Sequence, residues 1–390
     1  MSSETIQNPR TEIDAIDGEI LRLLNRRAEI ALRVGAAKTD ANASLCDPDR
    51  ESEVLHRLID ENTGPFDDRG IANIFQRIID ESLHLQQTTY HKHAATEGSG
   101  RELGSIKGGS RVAFLGERGT FSETAAIGIL GDSAEYISVP TFEDLYAAIR
   151  RGEADLIISP LENSLVGSIH RCYDLLLASD LYIVAEIILP VSHFLIGGPD
   201  ADFESIEIIE SHPAALGQCE RFLAAHPEIT AIAAEDTAGS VKRAVQSGDR
   251  RRAAIGGRRT AAIYDGKILR EHIEDHSENY TRFVLLAADA GPAERGGKIS
   301  LVMRLVNQPG ALHDALRPFV RRNIDLAKIE SRPIKGHPQD INFYLDINAP
   351  ANDADLSGAI EEITRQAAHI RDLGRYPSIR LTDEAIRDIS

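Results

Sequence analysis

Between His93 and Gly109 the chain reads Ala-Ala-Thr-Glu-Gly-Ser-Gly-Arg-Glu-Leu-Gly-Ser-Ile-Lys-Gly-Gly, a run rich in Gly and Ser. Such a stretch is expected to be a flexible linker. It divides a chain of 390 residues, already too long for one compact core. A shorter linker of the same kind, Asp289-Ala-Gly-Pro-Ala-Glu-Arg-Gly-Gly297, follows. The pattern changes at each linker: helical before the first, strands alternating with helices between the two, and a small β-helix-β pattern after the second. The expected division is 5–93, a linker at 94–109, then 110–288 and 298–378. No internal repeat is visible.

From about Arg10 to Lys38 the chain carries a long helical pattern without proline. Its residues Ile13, Ile16, Ile20, Leu23, Leu24, Ile30, Ala31 and Val34 recur at helical spacing. At about 100° per residue they make one stripe, and Arg27 and Lys38 fall near its middle, within about 20° of each other. A buried cation without a partner is costly. Two readings fit: snorkelling or an internal ion pair, and an anion pocket inside the bundle. Arg10 lies about 100° off that line, a position suited to a neighbouring subunit.

The next elements repeat the anomaly. Asp47-Pro48 is a helix start, with Asp as cap and Pro at the first position. The helix that follows carries Val54, Leu55 and Leu58 on one face, which Glu51 shares and Arg50 flanks. A third helix is apolar through Ile71, Ile74, Phe75, Ile78 and Ile79, and Ser82 and Gln86 continue that stripe.

The order Arg10, Arg27, Lys38, Asp47, Arg50, Glu51, Ser82, Gln86 resembles the active site of the all-helical chorismate mutases. Val34-Gly35-Ala36-Ala37-Lys38 and Asp47-Pro48-Asp49-Arg50-Glu51 are part of that match. The resemblance implies an intertwined homodimer in which the first helix lends its N-terminal arginine to the partner's site. Converting chorismate to prephenate is an intramolecular rearrangement. The enzyme has to clamp a dianion and stabilise charge developing on the ether oxygen. By resemblance Arg10 and Arg27 hold the two carboxylates, and Lys38 with Gln86 donates to the ether oxygen. Glu51 and the backbone near Asp47 hold the hydroxyl, Arg50 supports the site, and Ser82 touches a carboxylate.

In the middle region Arg111-Val-Ala-Phe-Leu-Gly116 is a strand, and Glu117-Arg-Gly-Thr-Phe-Ser122 turns into a helix expected to begin near Glu123. Such a turn offers backbone N–H groups to an anion, but it lacks the glycine spacing of a dinucleotide fingerprint. Ala154-Asp-Leu-Ile-Ile-Ser-Pro160 is a buried strand leading to Leu161-Glu162-Asn163-Ser164-Leu165-Val166-Gly167-Ser168. A polar cluster at the C-terminal end of a buried strand is where open α/β sheets bind ligands; a cap with turn residues fits equally. Ser211-His212-Pro213-Ala-Ala-Leu-Gly-Gln218-Cys219 has no nucleophile-elbow pattern. Ser211 is therefore expected to start a helix, and His212 to position rather than act as a base. The thirteen histidines show no metal-ligand spacing, and no metal or cofactor is expected.

The Gly-x-x-Gly-Thr-Phe-Ser, Pro-Leu-Glu-Asn-Ser, Ser-His-Pro and Thr-Arg-Phe strings together resemble prephenate dehydratase. Four motifs in order over about 180 residues make a specific match. The resemblance implies two α/β lobes like a periplasmic binding protein, with the site in the cleft between them. Prephenate loses its ring hydroxyl and its ring carboxylate as CO₂. The site therefore needs a donor at the leaving hydroxyl and a dry pocket for the carboxylate. By resemblance Thr281 stands at the leaving hydroxyl, while Glu162, Asn163, Ser164, Ser211, His212 and Gln218 line the cleft and Thr237 contacts substrate. A threonine hydroxyl is a poor acid, so hydrogen bonding and full proton donation both remain open for Thr281. Arg282 fits either a charge for the substrate or a structural ion pair.

After the second linker, Ile299–Val306 is a strand and Asn307-Gln-Pro-Gly310-Ala311-Leu312 leads into a helix. Ile324–Ile329 forms the next strand, Glu330-Ser331-Arg332-Pro333 closes it, and Phe343–Ile347 follows. The two motifs, Pro-Gly-Ala-Leu and Glu-Ser-Arg-Pro, resemble the ferredoxin-like ACT domain attached to prephenate dehydratases. That likeness implies that they meet across a dimer interface and bind phenylalanine. Gly310 allows close backbone approach to a zwitterion.

The resemblance thus implies two consecutive steps, chorismate to prephenate to phenylpyruvate, with feedback by phenylalanine through a shift between dimer arrangements. Deleting the residues after Gly297 is expected to spare both activities and abolish inhibition. The dehydratase motifs fit arogenate as well as prephenate, and a non-catalytic amino-acid sensor is the reading from another class. A net charge of −18 argues against nucleic acid or an anionic membrane as a general partner. Cys46, Cys172 and Cys219 are unpaired in spacing, as suits a reducing compartment. The N-terminus has no signal-peptide pattern, and no apolar run is long enough to span a bilayer. A cytoplasmic protein is expected.

Overall fold

The computed structural model describes residues 4–40, 48–90, 109–288, 296–334, 336–350, 353–382, 385–386 and 389. Asp47, Cys46 and nearly all of both linkers lie outside the described residues. The chain forms two compact units, one from 1–97 with 302–371 and the other from 98–301 with 372–390. Among the described residues no helix is long and apolar enough to cross a membrane.

The first unit opens with α1 (Glu4–Asp40), α2 (Pro48–Asp60) and α3 (Asp68–Tyr90). Helix α1 begins at Glu4, not near Arg10, and carries Pro9 inside it. α1 and α2 each pack against α3, which buries Ile79 and Leu83. The apolar stripe of α1 is only partly covered: Ile13, Ile16, Ile20 and Leu23 keep 55, 56, 48 and 50% of their surface exposed. Within one chain, the stripe expected to be core faces outward.

The second unit contains two α/β lobes. In the first lobe lie β1 (Arg111–Leu115), α4 (Phe121–Leu130), β2 (Glu135–Val139), α5 (Phe142–Arg150), β3 (Leu156–Asn163), β4 (Gly167–Ser168), α6 (His170–Ala178) and β5 (Tyr182–Pro190). The second lobe holds β6 (Phe194–Gly197), β7 (Ile208–Ser211), α7 (Pro213–Gly217), α8 (Glu220–Ala224), β8 (Thr230–Ala233), α9 (Thr237–Gln246), β9 (Arg252–Gly256), α10 (Arg258–Tyr264) and β10 (Lys267–Arg270). The chain then returns to the first lobe as β11 (Tyr280–Ala287). Strand order is β5-β11-β3-β1-β2 in one sheet and β10-β6-β9-β7-β8 in the other. Near-continuous apolar strands such as β3 and β11 are buried because helices cover the sheet. Val112, Phe114, Ile158, Ile187 and Phe283 make one core. Two further clusters, around Ile209 and around Val241, serve the second lobe.

The chain passes between lobes twice, through residues 190–194 and 270–280. These crossings lie side by side: Val191 N–H donates to the Asn279 carbonyl at 2.8 Å, and Ile273 N–H to that of His193 at 3.0 Å.

Last come β12 (Lys298–Leu305), α11 (Ala311–Arg321), β13 (Leu326–Ile334), β14 (His337–Asn348), α12 (Asp353–Gln366), β15 (Ala367–Tyr376) and β16 (Ser378–Arg380). Four of them form a sheet in the order β13-β14-β12-β15, with β13 at its edge. β16 instead pairs in parallel with β5, Ser378 opposite Glu186, and Leu381 enters the first-lobe core. Residues 378–381 are therefore part of the first-lobe sheet and core, which the sequence does not announce.

Candidate active site

Thr281 is the second residue of β11, and its cross-strand neighbour in register is Asn163, the last residue of β3. That pairing brings Asn163 Nδ2 to 3.1 Å from Thr281 Oγ1. Asn163 Oδ1 accepts from the backbone N–H groups of Leu165 and Val166, both at 3.0 Å. Gln218, at the C-terminus of α7, donates from Nε2 to the same oxygen at 3.4 Å. Two residues to which the sequence assigns no role complete the cluster. Asn279, fully buried, accepts from Asn163 Nδ2 at 2.8 Å and donates to Gln218 Oε1 at 3.1 Å. His193, 2% exposed, places Nε2 at 2.7 Å from Gln218 Oε1, and its ring stands edge-on to Phe121 at 5.9 Å. Burial holds the His193 imidazole below its ordinary value, against the upward pull of Gln218 and Glu274.

Asn279 sits two residues before Thr281, just outside the Thr-Arg-Phe string. His193 lies in a featureless apolar stretch, and only the alignment of the two crossings brings it here.

The other expected cleft residues are placed differently. Ser164 is exposed and closes the turn after β3: its hydroxyl donates to the Glu278 carbonyl at 3.1 Å and accepts from Tyr280 N–H at 2.9 Å. Glu162 is half-buried and pairs in register with Arg282 and Ser168. Ser211 does not start a helix. It ends β7 with its hydroxyl buried against the Ile255 carbonyl at 2.8 Å. The cap of α7 is His212, whose Nδ1 accepts from Ala214 N–H at 3.1 Å. Pro213 takes the first helical position, so the residue before it becomes the cap. Thr237 is the first residue of α9, behind the Asp236 cap. Neither Ser211 nor His212 is arranged as a nucleophile and base. Burial pushes the Cys172 thiol up to about 12 and the Cys219 thiol upward as well, so neither is a thiolate at neutral pH.

Arg282, beside Thr281, is a structural ion pair rather than a charge for substrate. Its guanidinium donates to Glu186, 1% exposed, which also accepts from Lys298 Nζ at 2.9 Å and Ser378 Oγ at 2.7 Å. Tyr376 accepts from Arg282 at 3.2 Å and hydrogen-bonds Ser300. Burial alone would raise the Glu186 carboxyl, but the charges of Arg282 and Lys298 outweigh it and hold the group below its ordinary range. An open cavity nearby is lined by Phe121, Ser192, Phe194, Arg258, Arg259 and His272, among others.

In the helical unit, Arg27 on α1 reaches α3, donating to Ser82 Oγ and to the Ile78 carbonyl at 3.4 Å. Its guanidinium is half-buried, and desolvation lowers its pKa. One turn further along α3, Gln86 donates to the Ala31 carbonyl of α1. Arg27, Ser82 and Gln86 are thus brought together at the α1–α3 seam, with Lys38 half-buried on the same helix. Arg10 is exposed. Arg50 pairs with exposed Glu53, and Glu51 with Arg321 of α11, so neither joins Arg27 within one chain.

In the C-terminal part, Gly310 adopts φ +85° at the start of α11, a conformation glycine reaches at no steric cost. Ala311 and Leu312 form the first turn. Glu330 and Arg332 alternate with exposed Ser331 and Pro333 on edge strand β13, on opposite faces.

Comparison with known proteins agrees with this layout. Family models match in order: chorismate mutase type II over residues 9–87, prephenate dehydratase over 112–291 and the ACT domain over 299–365. A bifunctional chorismate mutase/prephenate dehydratase of Neisseria gonorrhoeae is 33% identical over 370 residues, covering 95% of this chain and 96% of its own. Among solved structures, prephenate dehydratase from Arthrobacter aurescens in complex with L-Phe is 30% identical with a TM-score of 0.63, covering 68% of this chain and 90% of its own. A structure described as a novel type of quorum quenching acylase is 27% identical with a TM-score of 0.64, covering 69% of this chain and 98% of its own. With the likeness to the Neisseria protein running nearly end to end, the chain belongs to the family of bifunctional chorismate mutase/prephenate dehydratases with a C-terminal ACT domain.

Proposed function

We propose that this chain rearranges chorismate to prephenate in its helical domain and converts prephenate to phenylpyruvate in its two-lobed domain, under feedback by phenylalanine. The proposed boundaries are 5–93, 110–288 and 298–378. The observation that carries the second activity is the Thr281 hydroxyl, held by Asn163 beside Gln218 and Asn279. Thr281 hydrogen-bonds the departing ring hydroxyl. That group takes a proton and leaves as water, while the electrons of the breaking C–CO₂ bond complete the aromatic ring. Glu162, Asn163, Ser164, Ser211, His212, Gln218 and Thr237 remain the proposed cleft set. Ser211 acts there only through the strand end that it ties down.

For the mutase step, Arg27 and Ser82 form an anion clamp already assembled, with Gln86 and Lys38 following along the seam. Asp47, Arg50 and Glu51 complete the proposed set. Exposed Arg10 and the uncovered stripe from Ile13 to Leu23 favour a second copy of this chain as the partner of α1. Gly310, Ala311, Leu312, Glu330, Ser331, Arg332 and Pro333 are the proposed phenylalanine site, shared between copies along the open edge of β13. The reading places the protein in the cytoplasm and needs no cofactor.

The test follows chorismate loss and phenylpyruvate formation together, with and without phenylalanine. Phenylpyruvate appearing from chorismate, slowed by phenylalanine, supports the whole reading. Prephenate accumulating instead rejects the dehydratase assignment or turns it towards arogenate.

A further inference from the structure

We propose that Asn279 and His193 are positioning residues of the dehydratase centre, holding a one-way hydrogen-bond relay that leaves the Thr281 proton for the substrate. This rests on the reading of Thr281 at the leaving hydroxyl. The direction of the relay follows from groups that have no choice. The backbone amides of Leu165 and Val166 only donate, so the Asn163 atom that they meet at 3.0 Å is its oxygen. The other end of Asn163 is therefore the nitrogen. It donates one N–H to Asn279 Oδ1 at 2.8 Å, and its other N–H is shared between Thr281 Oγ1 at 3.1 Å and the Tyr280 carbonyl at 3.2 Å. Thr281 accepts within the relay, and its own proton points outside it.

Asn279 has used its oxygen, so its nitrogen faces Gln218 and donates to Oε1 at 3.1 Å. Gln218 returns a bond from Nε2 to Asn163 Oδ1 at 3.4 Å, closing a ring of three amides. Gln218 Oε1 also meets His193 Nε2 at 2.7 Å. A carboxamide oxygen carries no proton and only accepts, so the proton lies on His193 Nε2. Nδ1 keeps its lone pair, buried and without a partner among the described residues. Desolvation favours this neutral form, while the Gln218 hydrogen bond and the charge of Glu274, whose carboxylate accepts from the His193 backbone N–H at 2.8 Å, pull the other way.

The relay has its ends on both crossings. His193 lies on the outward passage and Asn279 on the return, with Gln218 in the second lobe and Asn163 and Thr281 in the first. Orientation of the Thr281 hydroxyl is thus tied to the joint between lobes.

The test uses the full-length protein, with prephenate kinetics and chorismate turnover measured on each variant. Asn279→Asp keeps the shape but replaces a donor with an acceptor. It is expected to lower the dehydratase kcat about 100-fold with KM within about threefold, leaving chorismate turnover unchanged. His193→Gln keeps an N–H where Nε2 stood and should retain kcat within about fivefold, whereas His193→Leu should lose about tenfold or more. Spectra of ¹⁵N-labelled histidine in the folded enzyme should place His193 as the neutral Nε2–H tautomer. Equal kcat for Asn279→Asp and wild type overturns the relay if Thr281→Val is inactive, because Thr281 is then essential without it. A fully active Thr281→Val removes the underlying reading instead. Should Asn279→Asp not fold, the His193 pair decides: equal kcat for Gln and Leu overturns the proposal, as does an Nδ1–H tautomer.

Discussion

Glu186 shows how one side chain serves parts of the chain that are distant in sequence. It is almost fully buried and carries Arg282, Lys298 and Ser378 around it. Glu186→Gln leaves buried Arg282 and part-buried Lys298 without their shared anion, so a loss of about 3–5 kcal/mol is expected in chemical denaturation. Its folded pKa lies below the ordinary carboxylate value of 4.5. The stability that it contributes is present above that value and lost as pH falls through the folded pKa. His193 adds an earlier acid window, because its folded pKa lies below 6.5. The unfolded chain takes up that proton first, so stability declines as pH drops from about 6.5 towards the folded value. Melting curves of His193→Gln against wild type between pH 7 and 5 should therefore diverge, with the wild type falling more steeply. Gly374 is a different kind of constraint. Its φ is +118°, and a Cβ there would meet the Ile183 carbonyl oxygen at 2.6 Å, so Gly374→Ala is expected to lower the melting temperature.

At the scale of elements, capping and exposure separate what is local from what needs a partner. Helix α9 is capped by Asp236, which accepts from Gly239 N–H. Asp236→Ala should cost about 1 kcal/mol in denaturant titrations, and more than about 2 would mean that Asp236 does more than cap. Helix α1 is the opposite case: Ile13, Ile16, Ile20 and Leu23 of its apolar face stay about half exposed among the described residues. Ile16→Glu with Ile20→Glu is expected to shift the protein to monomer in sedimentation and to lower chorismate turnover about 100-fold or more, the order that losing one oriented donor costs. Prephenate turnover should change little. An unchanged oligomer would show that this face is not the interface.

For the whole molecule, the structure revises the expectation for truncation after Gly297. That cut removes Lys298, Ser300, Tyr376 and Ser378 from around Glu186 and Arg282, together with β16 and Leu381 of the first-lobe core. The shortened chain should lose dehydratase stability and activity along with phenylalanine sensitivity, so truncation cannot isolate regulation. Substitution at the proposed effector site is the cleaner measurement. Gly310→Val strains a left-handed position and should abolish the phenylalanine response while leaving prephenate turnover within about threefold.

The sequence by itself determined the three-part order and the helical and α/β character of its parts, and it singled out Arg27, Ser82, Gln86, Asn163 and Thr281 as candidates, because periodicity and short motifs are local properties. Arg27 stood on the apolar stripe of α1, and it does turn inward to meet Ser82 on α3. Tertiary structure alone decided the rest. Ser211 became a strand end and His212 the cap because Pro213 fixed the helix start. Arg282 became an ion pair because β5 brought Glu186 to it. His193 and Asn279 became neighbours because two crossings, separated by a whole lobe in sequence, are zipped together by backbone hydrogen bonds. Such pairings depend on register between distant strands, which no local pattern encodes.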